Sequence, residues 1–128
     1  MNGSLLDTNV ITKLLAKDPE VISLVSKIEK FFTSIIVVGE LYYAAANSSR
    51  RHDNYEKILE ALSCMEIINI DNTVSMSYSE IKLDLKKTGK MIPENDIWIA
   101  ACAHTYGLSV ATFDRHFSFI PQINIITL

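Results

Sequence analysis

Cysteine is scarce in this chain: Cys64 and Cys102 lie far apart, with no CxxC pair and no Cys/His cluster around either. A disulfide framework and a structural zinc site are therefore not expected, and both residues read as small buried apolar side chains. Histidine is equally sparse. His52, His104 and His116 form neither an HxxxH nor an HExxH pair, so none is expected to ligate zinc. Long hydrophobic runs are missing too. The longest, Ile35–Gly39 and Ile97–Ala103, are bounded by Glu40, Asp96 and His104, well short of the roughly 18 residues that would suggest a membrane span. Met1–Asn9 has no basic start and no long apolar centre, so no signal peptide is expected and the chain is expected to stay in the cytoplasm. An excess of positive charge is also lacking. Twelve Lys and Arg face fifteen Asp and Glu, for a net charge of -3. That is the wrong sign for a generic nucleic-acid binder, so any phosphate-bearing ligand would need local basic residues or bound cations.

Apolar residues are plentiful, at 48% of a 128-residue chain. That is enough for one real core, and a single domain over 1–128 is expected. The patterning alternates. Ser4–Leu6 reads as a first strand ending at Asp7, followed by helical spacing at Val10, Ile11, Leu14 and Leu15. Asp18-Pro19-Glu20 is a helix start, with Val21, Leu24, Val25 and Ile28 on one face. The β-branched run Thr33–Val37 predicts a buried strand around Ser34–Ile36, followed by a helix from about Val38 to Ala46. A second helix over about 51–63 carries Tyr55, Ile58, Leu59 and Leu62 on one apolar face, and the two helices make a hairpin. Glu66–Ile70 reads as a third strand. Asp71 caps a helix to about Lys87 with Val74, Tyr78, Ile81 and Leu85 inward, and Gly89 ends it. Pro93 starts a helix to about Tyr106, which Gly107 terminates. Leu108–Ala111 is a fourth strand and Ile123–Ile126 a fifth, at an edge. Strands alternating with helices predict an α/β fold: a three-layer α/β/α arrangement around a mostly parallel sheet of about five strands.

In open α/β sheets ligands bind beyond the carboxyl ends of the strands, and acids stand there. Asp7 ends the first strand, Glu40 follows the second by about a helical turn, and Asp114 follows the fourth; Asp96 joins them from the first turn of a helix. Each has a bland role available. Asp7 or Asp114 can cap a turn, Glu40 can sit solvated on its helix, and Asp96 can favour a helix dipole. Their joint placement at one sheet end points instead to chemistry. Magnesium and manganese are hard cations that prefer carboxylate oxygens, and such ions activate water and stabilise the leaving oxygen in phosphodiester hydrolysis. Without a cation the cluster repels itself, and repels phosphate.

The strings around these acids carry a resemblance. Leu5-Leu6-Asp7-Thr8-Asn9, Glu40-Leu41-Tyr42-Tyr43, Ile92-Pro93-Glu94-Asn95-Asp96-Ile97-Trp98-Ile99-Ala100-Ala101 and Thr112-Phe113-Asp114-Arg115-His116-Phe117 occur in order along the chain. They resemble the four motifs of the PIN-domain family, and most closely those of VapC toxins from bacterial toxin–antitoxin pairs. The resemblance implies a magnesium- or manganese-dependent endoribonuclease with Asp7, Glu40, Asp96 and Asp114 as its acidic site. It also implies that Asn9 supports Asp7 by hydrogen bonding, that Thr112 lies beside the metals as a hydroxyl, and that a small antitoxin protein is the partner. One departure is Ala44, where the family often has glycine.

Arg115 and His116 are candidates for an RNA phosphate. Arg50, Arg51 and the lysines at 82, 86, 87 and 90 are candidates for its flanks. Trp98 and Tyr42-Tyr43 suit base stacking or, more naturally, core packing and a homodimer contact. Other classes fit less well. A phosphotransfer receiver domain would place a second acid beside the first, where Thr8 stands, and a dehalogenase-like phosphatase wants Asp-x-Asp, where Asn9 stands. A catalytically silent module binding RNA or protein remains the alternative of another class. Divalent-metal binding that disappears in Asp96→Asn separates the two.

Overall fold

The computed structural model describes residues 3–127, and at its centre is the strand Gly3–Leu6 (β1), buried along its whole length. Beside it run Lys30–Ser34 (β2) and, on the other side, Ser109–Thr112 (β4). Glu66–Ile68 (β3) and Ile125–Thr127 (β5) form the edges, in the order β3-β2-β1-β4-β5. All four pairings are parallel. The helices are Thr8–Leu15 (α1), Pro19–Val25 (α2), Ile35–Ala46 (α3), Arg51–Leu62 (α4), Asn72–Thr88 (α5) and Glu94–Thr105 (α6). The chain steps outward from β1 to β3, then returns past β1 to β4 and β5. With crossovers of the usual right hand, that reversal puts α1–α4 on one face and α5 and α6 on the other. The result is the expected α/β/α layering, with β5 at an edge as the sequence predicts. Among the described residues no helix is long and apolar enough to cross a membrane.

The reversal also creates a switch point between β1 and β4. Neighbouring connections leave in opposite directions there, which opens a crevice at the carboxyl ends of the strands. Local signals position most of the elements around it. Asp18 accepts a hydrogen bond from the Glu20 N–H and Asp71 one from the Val74 N–H, each starting a helix. Gly89 ends α5 at φ 68, a left-handed conformation that glycine adopts without steric cost.

Three expectations need correction. The second strand is Lys30–Ser34, and residues 35–37 are already helix, because Ser34 takes the N-cap position and accepts a hydrogen bond from the Ile36 N–H at 3.1 Å. A short, wholly apolar run carries no period that separates buried helix from buried strand. Leu59 is 56% exposed, because α4 presents Ile58 and Leu62 to the core. Cys64 is exposed, and only Cys102 is the buried apolar residue expected. Smaller shifts are that α2 stops at Val25, before Ile28, and β3 at Ile68.

Candidate active site

Asp7 leaves the end of β1 and serves as N-cap of α1, and its carboxylate is almost wholly buried. Oδ1 accepts from the Thr8 N–H at 2.8 Å and Oδ2 from the Thr112 hydroxyl at 2.7 Å. The capping role and the site role thus coexist in one side chain. Thr112 is the last residue of the neighbouring strand, and its Oγ1 also accepts from the Asp114 N–H at 3.0 Å. One buried hydroxyl therefore ties Asp7 to the backbone that carries Asp114. Thr112 thus lies between two of the acids.

Glu40 reaches the same place from α3, and the Thr8 hydroxyl donates to its Oε1 at 2.6 Å. Asp96 stands in the first turn of α6, 9% exposed, with the His116 ring nitrogen Nε2 at 2.6 Å from its Oδ2. Asp114 precedes a short 3-10 turn, Arg115–Phe119, and its side chain is 45% exposed. Asp7, Glu40, Asp96 and Asp114 line a single open pocket at the switch point.

The electrostatics follow from burial and like charge. Burial pushes the Asp7 carboxyl up to about 6; Asp96 and Asp114 push the same way, and the hydrogen bonds from Thr112 and Thr8 oppose them. Burial also raises Asp96, against the hydrogen bond and charge of His116, with Asp114 and Glu40 adding to the rise. Such a pocket favours a cation or a proton. Carboxylate oxygens of Asp96 and Asp114 and the ring nitrogen of His116 lie within 4.8 Å of one another. The four carboxylates that line the pocket are an oxygen-rich set that suits a hard divalent ion such as magnesium or manganese, so the residues present fit the metal that the resemblance implies.

The other expected residues fall out differently. Asn9 does not hydrogen-bond Asp7; its Oδ1 accepts from the Phe113 N–H at 3.2 Å, bracing the segment between Thr112 and Asp114. Arg50 pairs with Asp53 at 3.2 Å, and Arg51 lies 5.7 Å from the Tyr55 ring centre, so both belong to the start of α4 and neither lines the acid pocket. Arg115 is exposed. Glu94, at the pocket rim, is engaged by Lys82 and by the Tyr78 hydroxyl. Trp98 stacks on Tyr78 with centroids 3.8 Å apart, a packing role. Ala44, on the exposed face of α3, borders a second, apolar hollow away from the acids, so its methyl has room.

Lys13 is not among the residues that the sequence singles out. Lys13 lines the pocket, with its ammonium 4.5 Å from the centre of the Phe113 ring. His116, a candidate for an RNA phosphate or for a plain surface position, is turned into the acid cluster. The one signal for it was its place two residues after Asp114.

Comparison with known proteins places the chain among relatives of the same fold. A PIN-domain profile matches residues 4–122. The chain is 37% identical over 106 residues to Ribonuclease VapC2 of Haemophilus influenzae, covering 81% of this chain and 80% of that one. It is 31% identical over 131 residues to Toxin FitB of Neisseria gonorrhoeae, covering 94% of each. Among solved structures it resembles VapBC2 from Rickettsia felis bound to a DNA fragment from its promoter, with a TM-score of 0.87, 27% identity and 97% of each chain covered.

Proposed function

The chain belongs to the PIN-domain family, and from that premise we propose that it is a magnesium- or manganese-dependent endoribonuclease acting as the toxin of a toxin–antitoxin pair. The observation that carries this reading is the convergence of Asp7, Glu40, Asp96 and Asp114, from separate segments, on one pocket at the switch point of the sheet.

Asp7, Asp96, Asp114 and Glu40 would hold the metal. A bound divalent ion would supply Lewis-acid charge for in-line attack of water on an RNA phosphodiester, leaving 5′-phosphate and 3′-OH ends. The chain's own residues do the rest. Thr112 and the Thr8 N–H keep the buried Asp7 carboxylate oriented, and the Thr8 hydroxyl keeps Glu40 turned toward it. Lys13, at the pocket wall, would meet a phosphate, and Arg115, exposed and next to Asp114 in the chain, would extend that contact. Arg50 and Arg51 sit farther off, on the α4 start, where only a flanking stretch of RNA would reach them.

The test is cleavage of RNA by the purified protein with magnesium or manganese, with excess EDTA, and in Asp96→Asn. Cleavage that needs the metal and Asp96, and that yields 5′-phosphate ends, supports the reading. Undiminished cleavage in EDTA, or 2′,3′-cyclic phosphate products, overturns it.

The proposed partner is a small antitoxin, as in the VapBC complexes to which the chain is similar in fold. Between α1, α3 and α4 lies a hollow lined by Leu15, Leu41, Ala45 and Ile58, suited to the apolar face of a partner helix. An Arg or Lys from such a partner would pair with the acids and displace the metal. Co-expression with a short neighbouring reading frame tests this: the partner should copurify and suppress cleavage. We further propose a homodimer, supported by apolar side chains on the surface such as Tyr43, which is 71% exposed. Light scattering at micromolar concentration should show twice the monomer mass.

A further inference from the structure

We propose that His116 is a positioning residue, whose Nε2–H holds the Asp96 carboxylate in the orientation from which it binds the cation. The inference rests on the metal-dependent reading above and adds to it a residue that the acidic motifs leave out. Nε2 lies 2.6 Å from Oδ2 of Asp96 and 3.9 Å from Oδ2 of Asp114. With Asp96 ionised, as holding a cation requires, the carboxylate can only accept, so in that state Nε2 carries the proton and donates. A protonated Nε2 has no lone pair left for a metal, so the imidazole acts through Asp96. Engaging one carboxylate oxygen fixes the plane of the group and leaves lone pairs on the other oxygen for the ion.

The imidazole is itself well held. Phe117, wholly buried, anchors the 3-10 turn, and the two rings lie 5.1 Å apart at 31°. The side chains of His116 and Asp96 are 27% and 12% exposed, so water competes weakly for the hydrogen bond. The same turn begins at Asp114, so its placement by Thr112 and Asn9 sets both Asp114 and the group that steadies Asp96. Hydrogen-bond partners of metal ligands commonly govern affinity, and losing one costs on the order of 10- to 100-fold.

The experiment is manganese titration of the purified protein without RNA, by calorimetry or by the electron-spin signal of the free ion. Wild type, His116→Ala, His116→Gln and Asp96→Asn are compared, and thermal melting in EDTA shows that each variant is folded. Wild type should bind saturably. His116→Ala should bind roughly 10- to 100-fold more weakly, and His116→Gln, which keeps an N–H donor at similar reach, should recover most of the loss. Binding by His116→Ala equal to wild type overturns the positioning role and leaves the metal-dependent reading standing. A glutamine variant as weak as alanine also overturns it. A wild type that binds no manganese, like Asp96→Asn, overturns both.

Discussion

The buried carboxylate of Asp7 couples the protein's stability to pH in a defined direction. Its ordinary value is 3.8 and its value in the fold about 6. A raised value means the folded chain prefers the protonated form. Its favourable contribution is complete below 3.8 and is lost as pH rises through about 6. Each unit corresponds to about 1.4 kcal/mol, so the ceiling is roughly 3 kcal/mol. Asp7→Asn removes the titration. In EDTA, this variant should exceed wild type in stability by about 1 kcal/mol at pH 7, once the altered hydrogen bond to Thr112 is allowed for. The advantage should vanish near pH 4, as urea denaturation across that range will show, and RNA cleavage should be abolished. Thr112 gives a complementary case, because its hydroxyl both donates to Asp7 and accepts from the Asp114 N–H. Thr112→Val should lose about 1–3 kcal/mol and most of the cleavage, with Thr112→Ser restoring both. The acids themselves were legible as short strings, Asp7 and Asp114 after strands and Glu40 and Asp96 in helices. The contacts that brace them were not: Asn9 meets Phe113 and His116 meets Asp96 through the tertiary fold, and neither pairing leaves a mark on local sequence.

Elements were legible where one residue type forces a local geometry. Asp18 with Pro19, Asp71, Gly89 and Gly107 all mark helix ends as expected. The failure at residues 35–37 arose because β-branching favours strand locally, while burial of Val37, Val38, Leu41 and Ala45 on one packed helix decides the outcome. Leu59 failed for a related reason: an apolar residue on a mostly polar helix does not say which side of the stripe it lies on. Ser34 is the hinge of the α3 correction. Its hydroxyl caps α3 and lies 3.5 Å from Cys102 on α6, so it joins two of the helices that carry site acids. Ser34→Ala should cost about 1 kcal/mol of stability, measured by denaturant unfolding. Cleavage per folded molecule should hardly change, because Glu40 lies more than a turn beyond the cap and keeps its own hydrogen bond from Thr8.

On the scale of the whole molecule, the strand order could not be read from the chain. The return from β3 to β4 across β1 is a choice among pairings far apart in sequence, and that choice makes the crevice. The fold thus gathers Asp7, Glu40, Asp96 and Asp114 into one pocket, where they repel one another in the absence of a cation. An ion that binds the folded chain and has little affinity for the unfolded one must stabilise the entire domain. At a concentration about 100 times its dissociation constant, the gain is about 2.7 kcal/mol. For a domain of this size each kcal/mol raises the melting temperature by roughly 2–8 °C. Manganese should therefore raise the wild-type midpoint by roughly 5–20 °C, and EDTA should reverse the rise. In Asp96→Asn the starting midpoint should be no lower than wild type in EDTA, because one mutual repulsion is gone, and the manganese response should shrink to a small fraction. Differential scanning calorimetry reads both effects in one series. An equal manganese response in Asp96→Asn would place the bound ion elsewhere on the molecule, because an ion held by the pocket must lose affinity when a carboxylate of that pocket is neutralised.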